Sequence, residues 1–292
     1  MTTAGAEFGH LTRVVIKHAR DAFASDAAIS REWRDLNFTE APDLSGALAE
    51  YDAFTALVAS RGAEVAPLPA DPETSLDSIY VRDASILSPR GLILCSMGKP
   101  QRATEPAAQG RVYESWSLPI AGRITSPGKI EGGDVVWLDE RTVAVGRGYR
   151  TNDEGIRQFR DILGDSVDEV IVVPLPHWRG PGDVFHLMSI LSPVDRDLAV
   201  VYSPLMPVPF RETLLARGIR FVEVPEAEFE SMGANVLAIG PRDCVMVDGN
   251  PRTQAALEHA GAIVLTYSGR EISLKGGGGP TCLTRPIARR PR

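Results

Sequence analysis

The sequence predicts an α/β fold built as a ring of five ββαβ modules, a five-bladed propeller around a pseudo-fivefold axis with a central cavity. Three observations predict it. Short β-branched runs alternate with longer amphipathic stretches rich in Ala, Leu, Glu and Arg, the signatures of strands and helices. The order strand, strand, helix, strand returns four times, with first strands beginning near residues 84, 135, 187 and 236. No unit of about 50 residues can bury its own apolar faces, so neighbours must pack on one another.

In chain order, the N-terminal part supplies a looser unit: strand Arg13–Lys17, helix Asp43–Arg61 and strand Glu64–Leu68. Its strand and helix are separated by a loop, 19–42, that carries Trp33 and Phe38. Loops of that length are usually functional or disordered, and a lid over a central site is expected. The next unit is Ala84–Leu87, Leu92–Ser96, helix Glu105–Leu118 and a strand near Arg123. Val135–Leu138, Thr142–Gly146, helix Asn152–Leu163 and Glu169–Val173 follow. Then come Leu187–Leu191, Leu198–Tyr202, helix Pro209–Arg217 and Phe221–Val224. The last is Val236–Ile239, Cys244–Val247, helix Asn250–Ala260 and Ile263–Thr266. One domain over residues 1–292 is expected.

Composition narrows the function. A net charge of -7 disfavours nucleic acid and is compatible with a cationic small molecule. The basic run Arg285–Arg292 reads as a solvated terminus. No run approaches 18 apolar residues and no secretory signal opens the chain, so no membrane segment and a cytoplasmic location are expected. Three scattered cysteines suit a reducing compartment. No cofactor motif appears, and no His or Cys pair has metal-ligand spacing. A homodimer is compatible with the sequence, which does not decide oligomeric state.

Reactive residues fall on the repeat. Asp83, Glu131, His186, Asn235 and Cys282 are separated by 48, 55, 49 and 47 residues, each at the head of a unit or where the chain returns after the last. Equivalent positions in a ring converge on the axis, so two carboxylates, a histidine and a cysteine would meet there. Cys282 alone would read as a structural thiol. It follows four glycines, Gly276–Gly279, which permit close backbone approach to a ligand. Cys95 and Cys244 lie in apolar strand patterns and read as core, and His10, His18, His177 and His259 receive no role.

Seven segments carry a resemblance: Asp77-Ser78-Ile79-Tyr80-Val81-Arg82-Asp83, Ile130-Glu131-Gly132-Gly133-Asp134, Arg150-Thr151-Asn152-Asp153-Glu154-Gly155, Phe185-His186-Leu187, Ala234-Asn235-Val236-Leu237, Asn250-Pro251-Arg252-Thr253 and Gly277-Gly278-Gly279-Pro280-Thr281-Cys282. In this order they resemble the guanidino-group-modifying superfamily with the pentein fold, which includes arginine deiminases, amidinotransferases and dimethylarginine dimethylaminohydrolases. The resemblance implies that Cys282 attacks a guanidinium carbon and that His186 is general acid and base. It implies that Asp83 and Glu131 grip the guanidinium nitrogens, with Glu131 part of the catalytic set. Asp77 matches a residue binding an α-amino group, and Arg102 and Arg150 match positions binding an α-carboxylate. Asp134 reads as stabilising the glycine turn and could also touch substrate, and Asn235 reads as tying backbone at the axis.

Within the superfamily, Met188 stands where deiminases and amidinotransferases typically carry an aspartate, which favours hydrolysis of methylated arginine to citrulline and an alkylamine. The Gly-Gly-Gly-Pro approach to Cys282 resembles that of arginine deiminases, and Arg82 stands where the dimethylarginine hydrolases often have an acid. Arginine deimination therefore ranks second and amidino transfer third. A non-catalytic ligand-binding propeller is the remaining alternative; the complete Cys282, His186, Asp83 and Glu131 set argues against it.

Overall fold

The computed structural model describes residues 6–183 and 185–290. Its strands form five three-stranded sheets with one topology. In each, an inner strand pairs antiparallel with a middle strand, which pairs parallel, across a helix, with an outer one. Antiparallel neighbours need only a tight turn, whereas the parallel pair needs the crossover that each helix provides.

Four blades follow the chain. They are Ser85–Ser88, Gly91–Leu94 and Ile120–Arg123 with helix Glu105–Ser115; Val135–Trp137, Thr142–Arg147 and Glu169–Pro174 with helix Asp153–Leu163; Leu191–Asp195, Leu198–Val201 and Arg220–Glu223 with helix Val208–Ala216; and Leu237–Gly240, Asp243–Val247 and Ile263–Tyr267 with helix Pro251–His259. Inner and middle strands are almost wholly buried and outer strands only partly, so the apolar runs nearest the axis make the core. Helix Asp153–Leu163 shows how a blade is sealed. Asn152 caps it by accepting from Gly155 N at 2.8 Å. Ile156, Phe159 and Leu163, at helical spacing, turn into the core, each contributing about 1.5–3 kcal/mol.

The fifth blade joins the two ends of the chain, and here the structure corrects the sequence reading. Arg285–Arg290 is a strand that pairs antiparallel with His10–Ile16, which pairs parallel with Glu64–Pro67 beyond helix Leu44–Ala59. The run expected to be a solvated tail therefore closes the ring; of that run, residues 291 and 292 lie outside the described residues. Arg285 and Arg289 are buried. Arg289 Nη1 donates to the carbonyls of Gly9 at 2.6 Å and Ala238 at 2.9 Å, and Arg285 donates to the Arg82 carbonyl. Backbone oxygens at the axis thus do what water would do for a surface arginine.

Two smaller corrections follow. Segment 19–42 is not a plain loop: it holds helices Ala19–Ala22 and Asp26–Glu32, and Phe23, Ile29 and Phe38 are buried. Leu187–Leu191 is not a strand but a 3₁₀ turn, Leu187–Ser189, followed by the strand Leu191–Asp195. No helix among the described residues is long and apolar enough to cross a membrane.

Candidate active site

The first strand of each blade starts at the axis, so the residue preceding it is delivered there. Glu131 precedes and Asp134 ends the 3₁₀ turn that enters Val135–Trp137, and His186 precedes the turn that leads to Leu191–Asp195. Ser189 Oγ accepts from His186 N at 3.1 Å, and Asp134 Oδ1 from Leu187 N at 3.0 Å, which fixes the histidine backbone. Cys282 sits in a single turn after the glycine run, where Leu283 N donates to Gly279 O at 3.1 Å.

Glu131, His186 and Asp83 form one buried cluster, with a ligand atom of each lying within 4.8 Å of the others. His186 Nε2 lies 2.7 Å from Glu131 Oε2, and its Nδ1 lies 3.8 Å from Asp83 Oδ1. Glu131 is wholly buried. Its other oxygen accepts from Gly98 N at 2.8 Å and Lys99 N at 3.1 Å, so the carboxylate is pinned from behind. Sequence spacing showed no metal-ligand pair; this trio has the geometry of one. Yet Glu131 Oε2 is taken by His186, and Asp83 Oδ2 by the cationic Arg102 at 2.6 Å, which suits a proton-handling pair. The cluster requires close backbone approach: a Cβ on Gly133 would lie 2.5 Å from His186 Nδ1 and 2.8 Å from Asp83 Oδ1.

Burial alone would lower the His186 pKa, but the carboxylates of Asp83, Asp134 and Glu131 hold it above its usual value. Burial alone would raise that of Glu131, but the bond to His186 and the charges of His186, Arg150 and Arg102 hold it below. The pair is thus an imidazolium on a carboxylate. Burial pushes the Asp134 carboxyl up to about 6, against the opposing pull of His186 and the Thr151 hydroxyl.

Cys282 is partly exposed, while Cys95 and Cys244 are buried. Asn235 Nδ2 donates to Cys282 Sγ at 3.4 Å, and Asn235 Oδ1 accepts from Thr281 N at 3.0 Å and Thr281 Oγ1 at 2.9 Å. Asn235 therefore ties the backbone, as expected, and also touches the sulfur. Burial and the Asp83 charge push the Cys282 thiol up, partly offset by bonds from Thr281 and Asn235. Burial pushes Cys244 up to about 12, which fits an inert core thiol.

Cys282, His186, Asn235, Gly133 and Met188 line one cavity of about 220 Å³. Asp83 and Glu131 stand behind His186 and are not on its wall. Neither are Asp77, Arg102, Arg150 or Asp134 among the described residues that line it. Asp77 receives Lys99 Nζ at 2.6 Å. Arg102 holds Glu105 through two bonds of 2.9 and 2.8 Å, besides Asp83. Arg150 points to Glu131 at 3.4 Å, and Asp134 accepts from the Thr151 hydroxyl at 2.6 Å. Of the glycine run, Gly276 and Gly277 line the cavity, while Gly278 and Gly279 are pressed against Tyr80 and Asn235, so part of the close approach serves the protein itself.

Sequence reasoning missed an aromatic wall. Trp178 lies 5.6 Å from both Phe185 and Phe229, ring centre to ring centre, and Arg179 stacks 4.2 Å above Trp178. The available signal was the Trp-Arg pair in a proline- and glycine-rich loop just ahead of His186. Glu7, which accepts from buried Arg82 at 2.8 Å, left no signal.

The family described as N,N dimethylarginine dimethylhydrolase, eukaryotic, matches residues 18–289. The chain is 26% identical to the uncharacterized protein YkgA of Bacillus subtilis, over 99% of the chain and 96% of that protein. It is 28% identical to an arginine deiminase of Mycobacterium marinum, over 94% of the chain and 80% of the relative. Among solved structures, a DDAH from Pseudomonas aeruginosa complexed with citrulline superposes with a TM-score of 0.77 at 22% identity, covering 96% of this chain and all of that one. An amidinotransferase from Microseira wollei reaches 0.80 at 15% identity, covering 100% and 98%. These structural likenesses carry the fold, a five-bladed pentein.

Proposed function

Because the chain belongs to the N,N-dimethylarginine dimethylhydrolase family, we propose that it hydrolyses a C–N bond of a guanidinium through a covalent adduct on Cys282. The observation that carries this is the buried Glu131–His186 pair, bonded at 2.7 Å, whose histidine lines the same cavity as the Asn235-bound Cys282 thiol.

A guanidinium is resonance-stabilised, so its carbon must be held against a thiolate while the departing nitrogen gains a proton. Cys282 Sγ forms a bond to the guanidinium carbon. The C–N bond breaks, and the amine leaves with a proton from His186. Water then adds to the thiouronium carbon, giving its proton to the histidine, and the carbon–sulfur bond breaks to release a urea and the thiolate. Glu131 orients the imidazole and stabilises its charged form. Asp83 supplies negative charge beside the cationic substrate. A bound guanidinium in turn favours the thiolate, whose formation burial and the Asp83 charge oppose.

Methylated arginine is the substrate expected from the sequence. The guanidinium half of that molecule fits: Met188 puts a thioether, not a carboxylate, on the cavity wall, which accepts an N-methyl group. The amino-acid half finds Asp77, Arg102 and Arg150 engaged away from the wall. Deimination of an unsubstituted guanidinium is the second reading, favoured by the similarity to an arginine deiminase. The test is product analysis with N-methylated and unmethylated guanidines, following alkylamine and ammonia. Cys282→Ser is expected to abolish both, with the fold retained by circular dichroism. Appreciable turnover by that variant would remove the nucleophile assignment.

A further inference from the structure

A substrate meets what lines the cavity. Besides His186 and Cys282, the ionisable groups on the wall among the described residues are Arg179, Asp183, Glu230 and Lys275. Arg179 donates to Glu230 at 2.6 and 3.3 Å, Lys275 donates to Glu271 at 2.7 Å, and Asp183 is also engaged. The wall also carries the aromatic group of Trp178, Phe185 and Phe229.

Behind the wall, a niche able to draw a substrate ammonium is already occupied. Asp77 is 3% exposed, and its carboxylate receives Lys99 Nζ at 2.6 Å. The same ammonium donates at 2.7 Å to the carbonyl of Leu36, the neighbour of Asn37 on the cavity wall. Lys99 is held at its other end too, because its backbone N–H donates to Glu131. A substrate ammonium at Asp77 Oδ2 would have to displace this lysine and leave its charge buried with the Leu36 carbonyl alone, a heavy penalty. Arg102 is as closed to a carboxylate, since its guanidinium already serves Asp83, both oxygens of Glu105 and the Tyr80 carbonyl.

We propose that the substrate is an alkyl- or arylguanidine without an α-amino acid head, which lays its tail on Trp178, Phe185 and Phe229, and that Lys99 enforces this choice by filling the Asp77 niche. The inference rests on guanidine hydrolysis at Cys282 and deepens it by naming the substrate class. Aromatic rings reward apolar tails through buried area and stacking, whereas a zwitterionic head would have to compete with the ion pairs that already hold the charges of the wall.

The test compares N-butylguanidine and N-phenethylguanidine with arginine and Nω,Nω-dimethylarginine, measuring turnover by the wild-type enzyme and calorimetric binding to the Cys282→Ser variant. The head-less guanidines are expected to have kcat/KM and affinity higher by about tenfold or more. Lys99→Met, which frees Asp77, should narrow that gap by raising the amino acids, and Lys99→Arg should keep it. Should Lys99→Met fail to fold, the wild-type comparison decides alone. Amino acids bound and turned over as well as the head-less compounds would overturn this inference and leave the Cys282 chemistry standing. Binding of neither class would overturn both.

Discussion

A methyl group added at Gly133 tests whether the position of His186 governs the chemistry. The Cβ of Gly133→Ala would stand 2.5 Å from His186 Nδ1, 2.8 Å from His186 Cγ and 2.8 Å from Asp83 Oδ1. Such atoms rest about 3.5 Å apart, so the ring must retreat by roughly 1 Å. It cannot retreat freely, because Glu131 holds Nε2 at 2.7 Å and is itself held by the backbone of Gly98 and Lys99. A misplacement of about 1 Å costs on the order of 10²-fold in rate, or about 2.7 kcal/mol of barrier. The overpacking itself costs about 1–3 kcal/mol of stability, a fall of several degrees in Tm that a 292-residue chain should survive. The assay is kcat on the best guanidine found, with Tm measured on the same preparation. Gly182→Ala is the control: Gly182 lines the same cavity, but its added Cβ meets nothing within 4 Å, so kcat should be unchanged. A folded Gly133→Ala enzyme with undiminished kcat would refute the claim that His186 must stand where it does.

Two further perturbations act on the proton and the sulfur. The Cys282 thiol is pushed up and His186 is held protonated above its usual range, so kcat/KM should climb from acid through neutral pH as the thiolate forms and fall only on the alkaline side, as His186 deprotonates. Glu131→Gln removes a carboxylate that raises the histidine, so it should move the alkaline limb to lower pH and cut kcat by about 10²–10⁴; an unmoved limb in the pH–rate profile would detach Glu131 from His186. Asn235→Ala removes the donor at 3.4 Å from Cys282 Sγ and the anchor of Thr281, and should lower kcat/KM by about tenfold and slow alkylation of Cys282 by iodoacetamide. Unchanged alkylation would leave Asn235 a backbone tie only.

The ring is legible in the sequence because its blades are written in local code. Apolar runs of strand length, capped helices and a spacing near 50 residues survive without any tertiary knowledge. The axial residues inherit that legibility: Asp83, Glu131 and His186 reach one cluster, and Asn235 reaches Cys282, because each opens or closes a module. What fails is what depends on distant partners. Arg285–Arg290 reads as a solvated tail because buried arginines need acceptors from elsewhere in the chain, here the carbonyls of Gly9, Arg82 and Ala238. Its Pro286 is tolerated because the strand lies at the inner edge of its sheet. Leu187–Leu191 reads as a strand because a short apolar run looks the same whether it pairs or turns. Lys99 carries no motif at all; its meaning comes from Asp77 and Leu36, which only the fold places beside it.

Two features that seem separate in the sequence, an arginine at 82 and a methionine at 188, are one arrangement in space. Arg82 is 1% exposed, and its Nε and Nη2 point at Met188 Sδ from 3.3 and 3.2 Å. Its charge is answered by Glu7, at 2.8 Å from the same Nη2. An aspartate at 188 would face that guanidinium directly and pair with it. With Glu7 supplying the negative charge from the N-terminal blade, position 188 is free to be apolar, and a thioether is a soft acceptor that packs against methyl groups. At the reacting carbon, the guanidinium of a substrate would then feel carboxylate charge from the Asp83 side and none from position 188. The opposite side offers sulfur and hydrocarbon, the environment in which an N-alkyl substituent loses least on leaving water. The proposed preference for an alkylated guanidine would thus trace to a residue more than 180 positions from Met188, which nothing in the local sequence connects to it.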